Sequence, residues 1–166
     1  MSSDLNIRLA TASDSAGIIA LIDSVYGEYN DGVNLEGAEA DLLDLDRHYF
    51  AHGGAFWVLI KGERILGSHG AVPHPTQPEI CNFRRLYLDV SLRGTEWGHQ
   101  LMQVTIDWAR ERQFRRIEFW SDTRFSRAHR FFSKFGFVKS GEQREMHDGI
   151  VPYREWFFYL DFTPSE

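Results

Sequence analysis

The sequence predicts an α/β (α+β) chain folded around one mixed sheet of about seven strands with about four helices. Three observations lead there. Seven short stretches, alternating in apolar character or continuously apolar, read as strands, and apolar residues recur at helical spacing in four others. The two kinds interleave as β-α-α-β-β-β-α-β-α-β-β; strand–helix–strand units need parallel pairing and hairpins need antiparallel pairing, so the sheet must be mixed. The 166 residues suffice for one full core, and no repeat, low-complexity run or long linker divides them, so residues 1–166 read as a single domain.

The elements follow in order. Leu5 to Ala10 alternates, with Leu5, Ile7 and Leu9 set against Asn6 and Arg8, and reads as the first strand. Thr11, Ser13 and Asp14 can cap a helix whose apolar face is Ile18, Leu21, Ile22 and Val25. Gly27, Asn30, Asp31 and Gly32 break it. A second helix is expected from about Glu36 to Ala51, stopped by Gly53-Gly54. AFWVLI is a strand, KGER a tight turn and ILGSHGAV its hairpin partner. Prolines 73, 75 and 78 forbid regular structure up to Glu79, and a long strand then runs to Leu88. Thr95 to Arg112 is the clearest helix, with Leu101, Met102, Thr105, Trp108 and Ala109 on one stripe. RRIEFWSD is a strand, and a shorter helix ending at Phe135-Gly136 carries Phe125, Ala128, His129 and Phe132 on one face. FVKSGEQREM and VPYREWFFYLDF flank His147-Asp148-Gly149, whose Asp-Gly signals a hairpin.

Composition narrows the function. Hydrophobic residues at 43% and charged residues at 25% fit a soluble globular protein. A net charge of -6 argues against nucleic acid, whose phosphates call for a basic face. No apolar run approaches the roughly 20 residues that span a bilayer, and MSSDLNIRLA lacks the regions of a signal peptide. Cys81 is the single cysteine, which points to a reducing, cytoplasmic setting and reads as a packed residue of a strand.

The chemistry centres on RGTEWGHQL, Arg93 to Leu101. A strand entering a glycine-bearing turn before a strong helix makes an anion site, because first-turn N–H groups lack intrahelical partners and carry the positive end of the helix dipole. LYLDVSLRGTEWGHQLM, followed by AHRFFSKFGFVKSGE, resembles the GNAT superfamily of acetyl-CoA-dependent N-acetyltransferases, as does the element order over nearly the whole chain. The resemblance implies a mostly antiparallel sheet, acetyl-CoA as co-substrate and no metal. It assigns the pantetheine arm to the backbone of the strand carrying Leu86 and Leu88, lying against it much like an added strand. It assigns the pyrophosphate to Arg93, Gly94, Thr95, Glu96, Trp97 and Gly98. Arg93, Gly98, Ala128 and Gly136-Phe137 match the family pattern. Three positions depart from it: Glu96 replaces a glycine of the loop, Phe132 replaces the tyrosine that protonates the departing thiolate, and Phe125 stands where an asparagine often precedes the Ala128 position by three. Phe132 has no ionisable proton, so a general acid worth about 10²–10⁴-fold must come from elsewhere or be missing. A glutamate in a first helical turn is favoured by about 0.3–1 kcal/mol through the dipole alone, so Glu96 reads as solvent-facing.

Asp122, at the end of a strand, is a candidate for contact with the amine and equally a turn former; Ser126 is a candidate hydroxyl donor or a simple cap. His129 has a suitable pKa for proton transfer but sits on an apolar helical face. Tyr26, Glu28 and Tyr29, where the first helix breaks, could hold a cationic amine or only cover the core. His69 reads as a packed or rim histidine. His48 and His52, four apart, lack the glutamate of a metallopeptidase pair and are favoured near a helix C-terminus anyway. Three functions stay open: an acetyltransferase acting on a small-molecule or peptidyl amine, a coenzyme A-binding module with weak catalysis, and an interaction domain using Trp156 to Tyr159. Rings on both faces of that last strand also suggest a homodimer.

Overall fold

The computed structural model describes residues 4–162, so the first three residues of the stretch read for a leader lie outside it. Its elements are β1 (Leu5–Leu9), α1 (Ser15–Gly27), α2 (Leu45–His48), β2 (Ala55–Lys61), β3 (Arg64–Pro73), β4 (Ile80–Leu88), α3 (Trp97–Glu111), β5 (Arg116–Asp122), α4 (Ser126–Lys134), β6 (Val138–Met146) and β7 (Tyr153–Asp161). Seven strands form one sheet in the order β1-β2-β3-β4-β5-β7-β6. Only β4 and β5 pair in parallel; every other pair is antiparallel. The sheet is therefore mixed and mostly antiparallel, as expected.

A core lies on each face. Side chains of α3 and α4 pack with Trp57, Phe83, Ile117, Phe119 and Phe158 on one side. On the other, α1 and α2 cover Phe56, Val58 and Val72. AFWVLI is apolar throughout because β2 is covered on both faces. Cys81 is buried in the first core, and burial pushes its thiol up to about 12, the behaviour of a packed residue rather than a nucleophile. On the C-terminal hairpin Phe158 and Trp156 turn toward α4. Phe157 lies 5.0 Å from Trp120 on the opposite face, where the guanidinium groups of Arg144 and Arg116 cover Trp120 and Tyr159.

Two expectations fail, each for a local reason. The helix proposed from Glu36 to Ala51 is broken into a 3₁₀ turn (Ala40–Leu43), the single turn α2 and another 3₁₀ turn (Phe50–His52). Asp44 interrupts it by capping Arg47 N at 3.1 Å, in an extended rather than helical conformation. His48 and His52 consequently occupy separate turns instead of one helical face. The Asp148-Gly149 hairpin signal marks the right place but the wrong turn. Met146 pairs with Tyr153, leaving a six-residue connection, and Gly149 has no positive φ. The loop is drawn off to residues 34–38: Asp148 O accepts from Asn34 Nδ2 at 2.7 Å and from Ala38 N at 2.9 Å.

Candidate active site

β4 and β5 are hydrogen-bonded only over Ile80–Asn82 and Arg116–Glu118. Beyond that point β4 continues to Leu88 and β5 to Asp122, so the strands part at their carboxyl ends. A bulge bends β4 there. Arg85 has φ 63° and the β3–β4 register slips between Ser68 and Gly70. Bulges kink the strand and increase its twist, while a left-handed arginine costs about 1–3 kcal/mol and needs support from its surroundings. Ser68 Oγ donates to Arg85 O at 2.7 Å, and the Arg85 guanidinium donates to both Asp41 oxygens (2.6 and 3.2 Å) and to Ala38 O (2.6 Å). Tyr49 Oη donates to the same carboxylate at 2.6 Å. Burial alone would raise the Asp41 pKa, but Arg85 outweighs it and holds the carboxyl below its ordinary value.

The turn before α3 has the shape an anion requires. Gly94 has φ 78° with open space where a Cβ would be, and Asp89 caps a 3₁₀ turn at Val90–Leu92 through Ser91 N. Among the described residues the amides of Gly94, Glu96, Gly98 and His99 find no acceptor. Glu96 is exposed at the head of α3. Arg93 is engaged elsewhere: its guanidinium grips Glu28 at 2.5 and 2.6 Å, tying the turn to the end of α1.

A cavity of about 530 Å³ runs through the opening between β4 and β5 and reaches both faces of the sheet. Phe83, Leu86, Met102, Ala128 and Phe132 line it on the α3–α4 side. Tyr26, Tyr87, Glu39, Arg85, Tyr153 and Glu155 line it on the other. Phe132 is buried against Phe119 and Phe158, at ring separations of 4.8 and 5.4 Å.

The anticipated residues divide. Tyr26 reaches the cavity and its hydroxyl lies 2.8 Å from that of Tyr87. Asp122 also lines it but is occupied, accepting from Arg124 N at 2.9 Å and from its guanidinium at 2.6–3.2 Å, while Arg124 also bonds Asp31 at 2.9 Å. Glu28 pairs with Arg93, and Tyr29 packs 5.1 Å from Phe125; neither is on the cavity wall. Ser126 is exposed at the start of α4, and His129 sits half-buried between Ser121 Oγ (3.2 Å) and the Phe158 ring, so neither lines the cavity. Burial, helped by Lys139, lowers the His129 pKa.

Several candidate groups on the cavity wall escaped the sequence reading. Tyr87 is pushed up to about 12 by burial and Tyr26 higher still, so both hydroxyls keep their protons at neutral pH. Glu39 and Glu155 have raised pKa values through burial, the latter against the pull of Arg144 at 2.6 Å. The alternation that exposed Leu86 and Leu88 on one face of β4 placed Tyr87 on the other, a usable signal. Glu39 and Glu155 meet only through the tertiary fold and left none.

The sheet opens beside a helix N-terminus with free amides, over a cavity lined by tyrosines and carboxylates, the arrangement of an α/β protein that can take an anionic ligand. The model of the Acetyltransferase (GNAT) family matches residues 21–137, and the chain belongs to that family as an N-acetyltransferase. It is 27% identical over 115 residues to the uncharacterized N-acetyltransferase YjgM of Escherichia coli (strain K12), covering 66% of this chain and 68% of that protein. It is 26% identical over 118 residues to the probable N-acetyltransferase camello of Xenopus tropicalis, covering 69% of this chain and 54% of that one. Among solved structures, a GNAT-family acetyltransferase of Staphylococcus aureus Mu50 superposes with TM-score 0.79 at 22% identity, over 95% of this chain and 98% of that one. A second, from Streptococcus pneumoniae, gives 0.75 at 18% identity, over 96% and 100%. At such identities the likeness is one of fold.

Proposed function

We propose that this chain transfers an acetyl group from acetyl-CoA to a primary amine of a small molecule or peptide, in the cytoplasm. One observation carries the reading: the opening between β4 and β5 holds a cavity with proton-carrying groups, and β4 ends at Leu88, beside Gly98 of the turn with free amides. The amides of Gly94 to Gly98 would take the pyrophosphate, since a left-handed Gly94 and unpaired first-turn N–H groups are what an anion needs. Main-chain groups of Leu86 and Leu88, not paired with β5, would hold the pantetheine arm, with the Leu88 carbonyl giving up its 3.4 Å contact with Arg93 Nη2. Bound there, acetyl-CoA supplies the activated thioester carbonyl.

The chain's own residues do the rest. Glu155, whose Oε1 is held by Arg144 while Oε2 stays free among the described residues, and Glu39 line the acceptor half of the cavity and in their ionised forms attract a cationic amine. Their raised pKa values suit them to accept its proton, directly or through water. The Tyr26–Tyr87 pair offers a hydroxyl in place of the one Phe132 lacks, and Tyr87 follows Leu86 on the cofactor strand. Asp122 and Arg124 act by fixing the β5–α4 corner rather than by touching the amine. Thioester turnover measured against a panel of amines tests the proposal. Release of coenzyme A only with amine present supports it. Binding of acetyl-CoA without release for any amine would support instead a coenzyme-binding module, the reading that Phe132 favours.

A further inference from the structure

His69 is buried beside the cavity with nothing to bond. It is 1% exposed, its Nδ1 has no partner, and no hydrogen bond among the described residues involves its Nε2. Its ring stands edge-on to Phe83 at 4.7 Å and lines the cavity. Burial drives its pKa down to about 3, so at neutral pH it is uncharged, with one N–H to give and one lone pair to receive. Native proteins rarely leave such a group unsatisfied, because a buried polar atom without a partner forfeits the hydrogen bonds water would have given it. Something that enters the cavity is therefore expected to meet it.

The register fixes where. Ser68 pairs with Tyr87 and Gly70 with Arg84, so His69 stands across the β3–β4 break from Arg85 and Leu86. Leu86 is where the cofactor strand would hold the end of the pantetheine arm, and this inference rests on that reading of the site. Around His69 the wall is apolar: Phe83, Met102, Phe119 and Phe132. An acetyl group can accept the ring N–H through its carbonyl oxygen, which every acyl donor shares, but has no donor for the ring lone pair; a carboxylate would bring an unpaired charge into an apolar wall. A hydroxyl can donate or accept, so it can pair with whichever ring nitrogen faces the cavity in either tautomer.

We propose that His69 is a specificity-determining residue that selects a short hydroxyacyl group as a further acyl donor beside acetyl. The chemistry balances as in acetyl transfer. The amine nitrogen bonds the acyl carbon, the carbon–sulfur bond breaks, the amine loses a proton and the coenzyme thiolate gains one.

Calorimetry with acetyl-CoA, butyryl-CoA and 3-hydroxybutyryl-CoA tests this without any acceptor. The wild-type chain should bind the hydroxybutyryl ester about tenfold more tightly than the butyryl ester, the worth of about one buried hydrogen bond. In His69→Phe the preference should vanish, while His69→Gln, which keeps a donor and an acceptor, should retain part of it. Equal binding of the two four-carbon esters by the wild-type chain overturns the proposal, because a trapped water then suffices for the ring. So does a preference that survives His69→Phe. The wild-type comparison stands even if the variants misfold. Failure to bind any of the three esters, acetyl-CoA included, overturns the coenzyme reading itself and this inference with it.

Discussion

Tyr87 brings a hydroxyl to the cavity where Phe132 has none. Testing it alone would mislead, because Tyr87→Phe leaves the Tyr26 hydroxyl without its 2.8 Å partner. A buried donor stranded in this way costs about 1–3 kcal/mol, whereas removing both partners is nearly neutral. The double variant Tyr26→Phe/Tyr87→Phe is therefore expected to melt close to wild type and to lose about 10²-fold in kcat, the lower range for a general acid. Adding Phe132→Tyr to it should restore part of the rate. Unchanged kcat in the double variant would mean that the thiolate finds its proton in water. Glu96 sits at the opposite end of the site with its side chain in solvent. Glu96→Gly should leave acetyl-CoA affinity nearly unchanged and weaken the helix by at most about 1 kcal/mol. A tenfold gain in affinity at low salt, fading at high salt, would instead place the carboxylate beside the phosphates.

The bulge in β4 is the element on which the site depends, and carboxylates with opposite pKa shifts surround it. Asp41, held below its ordinary 3.8 by Arg85, stabilises the fold fully above that value and loses its effect as pH falls through the depressed one. Breaking a buried pair typically costs about 3–5 kcal/mol. Asp41→Asn should therefore lower the melting temperature at neutral pH and flatten the acid limb of the stability curve. Glu39 behaves in reverse. Its folded pKa lies above the ordinary 4.5, so its ionised form is disfavoured, and its contribution falls as pH rises from that value through the raised one. Glu39→Gln mimics the protonated acid and can still accept from Asn34 N at 2.9 Å in the native arrangement. Relative to wild type it should melt higher at pH 7 than at pH 4. The same difference at both pH values would show that Glu39 titrates normally.

At the scale of the molecule, legibility in the sequence tracked the range of the forces involved. Alternating or continuous apolar runs and 3.6-residue patterns reflect which side chains a sheet or helix buries, and they located all seven strands and the long helix α3. The helix expected at 36–51 fell to a single capping aspartate, a local competitor that periodicity cannot weigh. The loop at 147–152 fell to bonds with Asn34 and Ala38, more than a hundred residues away in the chain. The turn at 93–98 was legible because it is built from contiguous backbone. The α1 side of the cavity was largely hidden because Glu39, Arg85, Tyr87 and Glu155 converge from separate elements. That difference yields one more prediction. If the contiguous turn at 93–98 anchors the coenzyme, most of the binding energy lies in its phosphates and not in the thioester arm. Acetyl-CoA at a hundred times its Kd should add about 2.7 kcal/mol to unfolding, a rise of roughly 5–10 °C for a chain of this size. S-acetylpantetheine, which keeps the arm but lacks the pyrophosphate, should give a much smaller shift at equal concentration. Raising salt should shrink the first shift and leave the second almost alone, because only the phosphates are screened. Equal shifts from the two compounds would mean that the free amides ahead of α3 bind nothing.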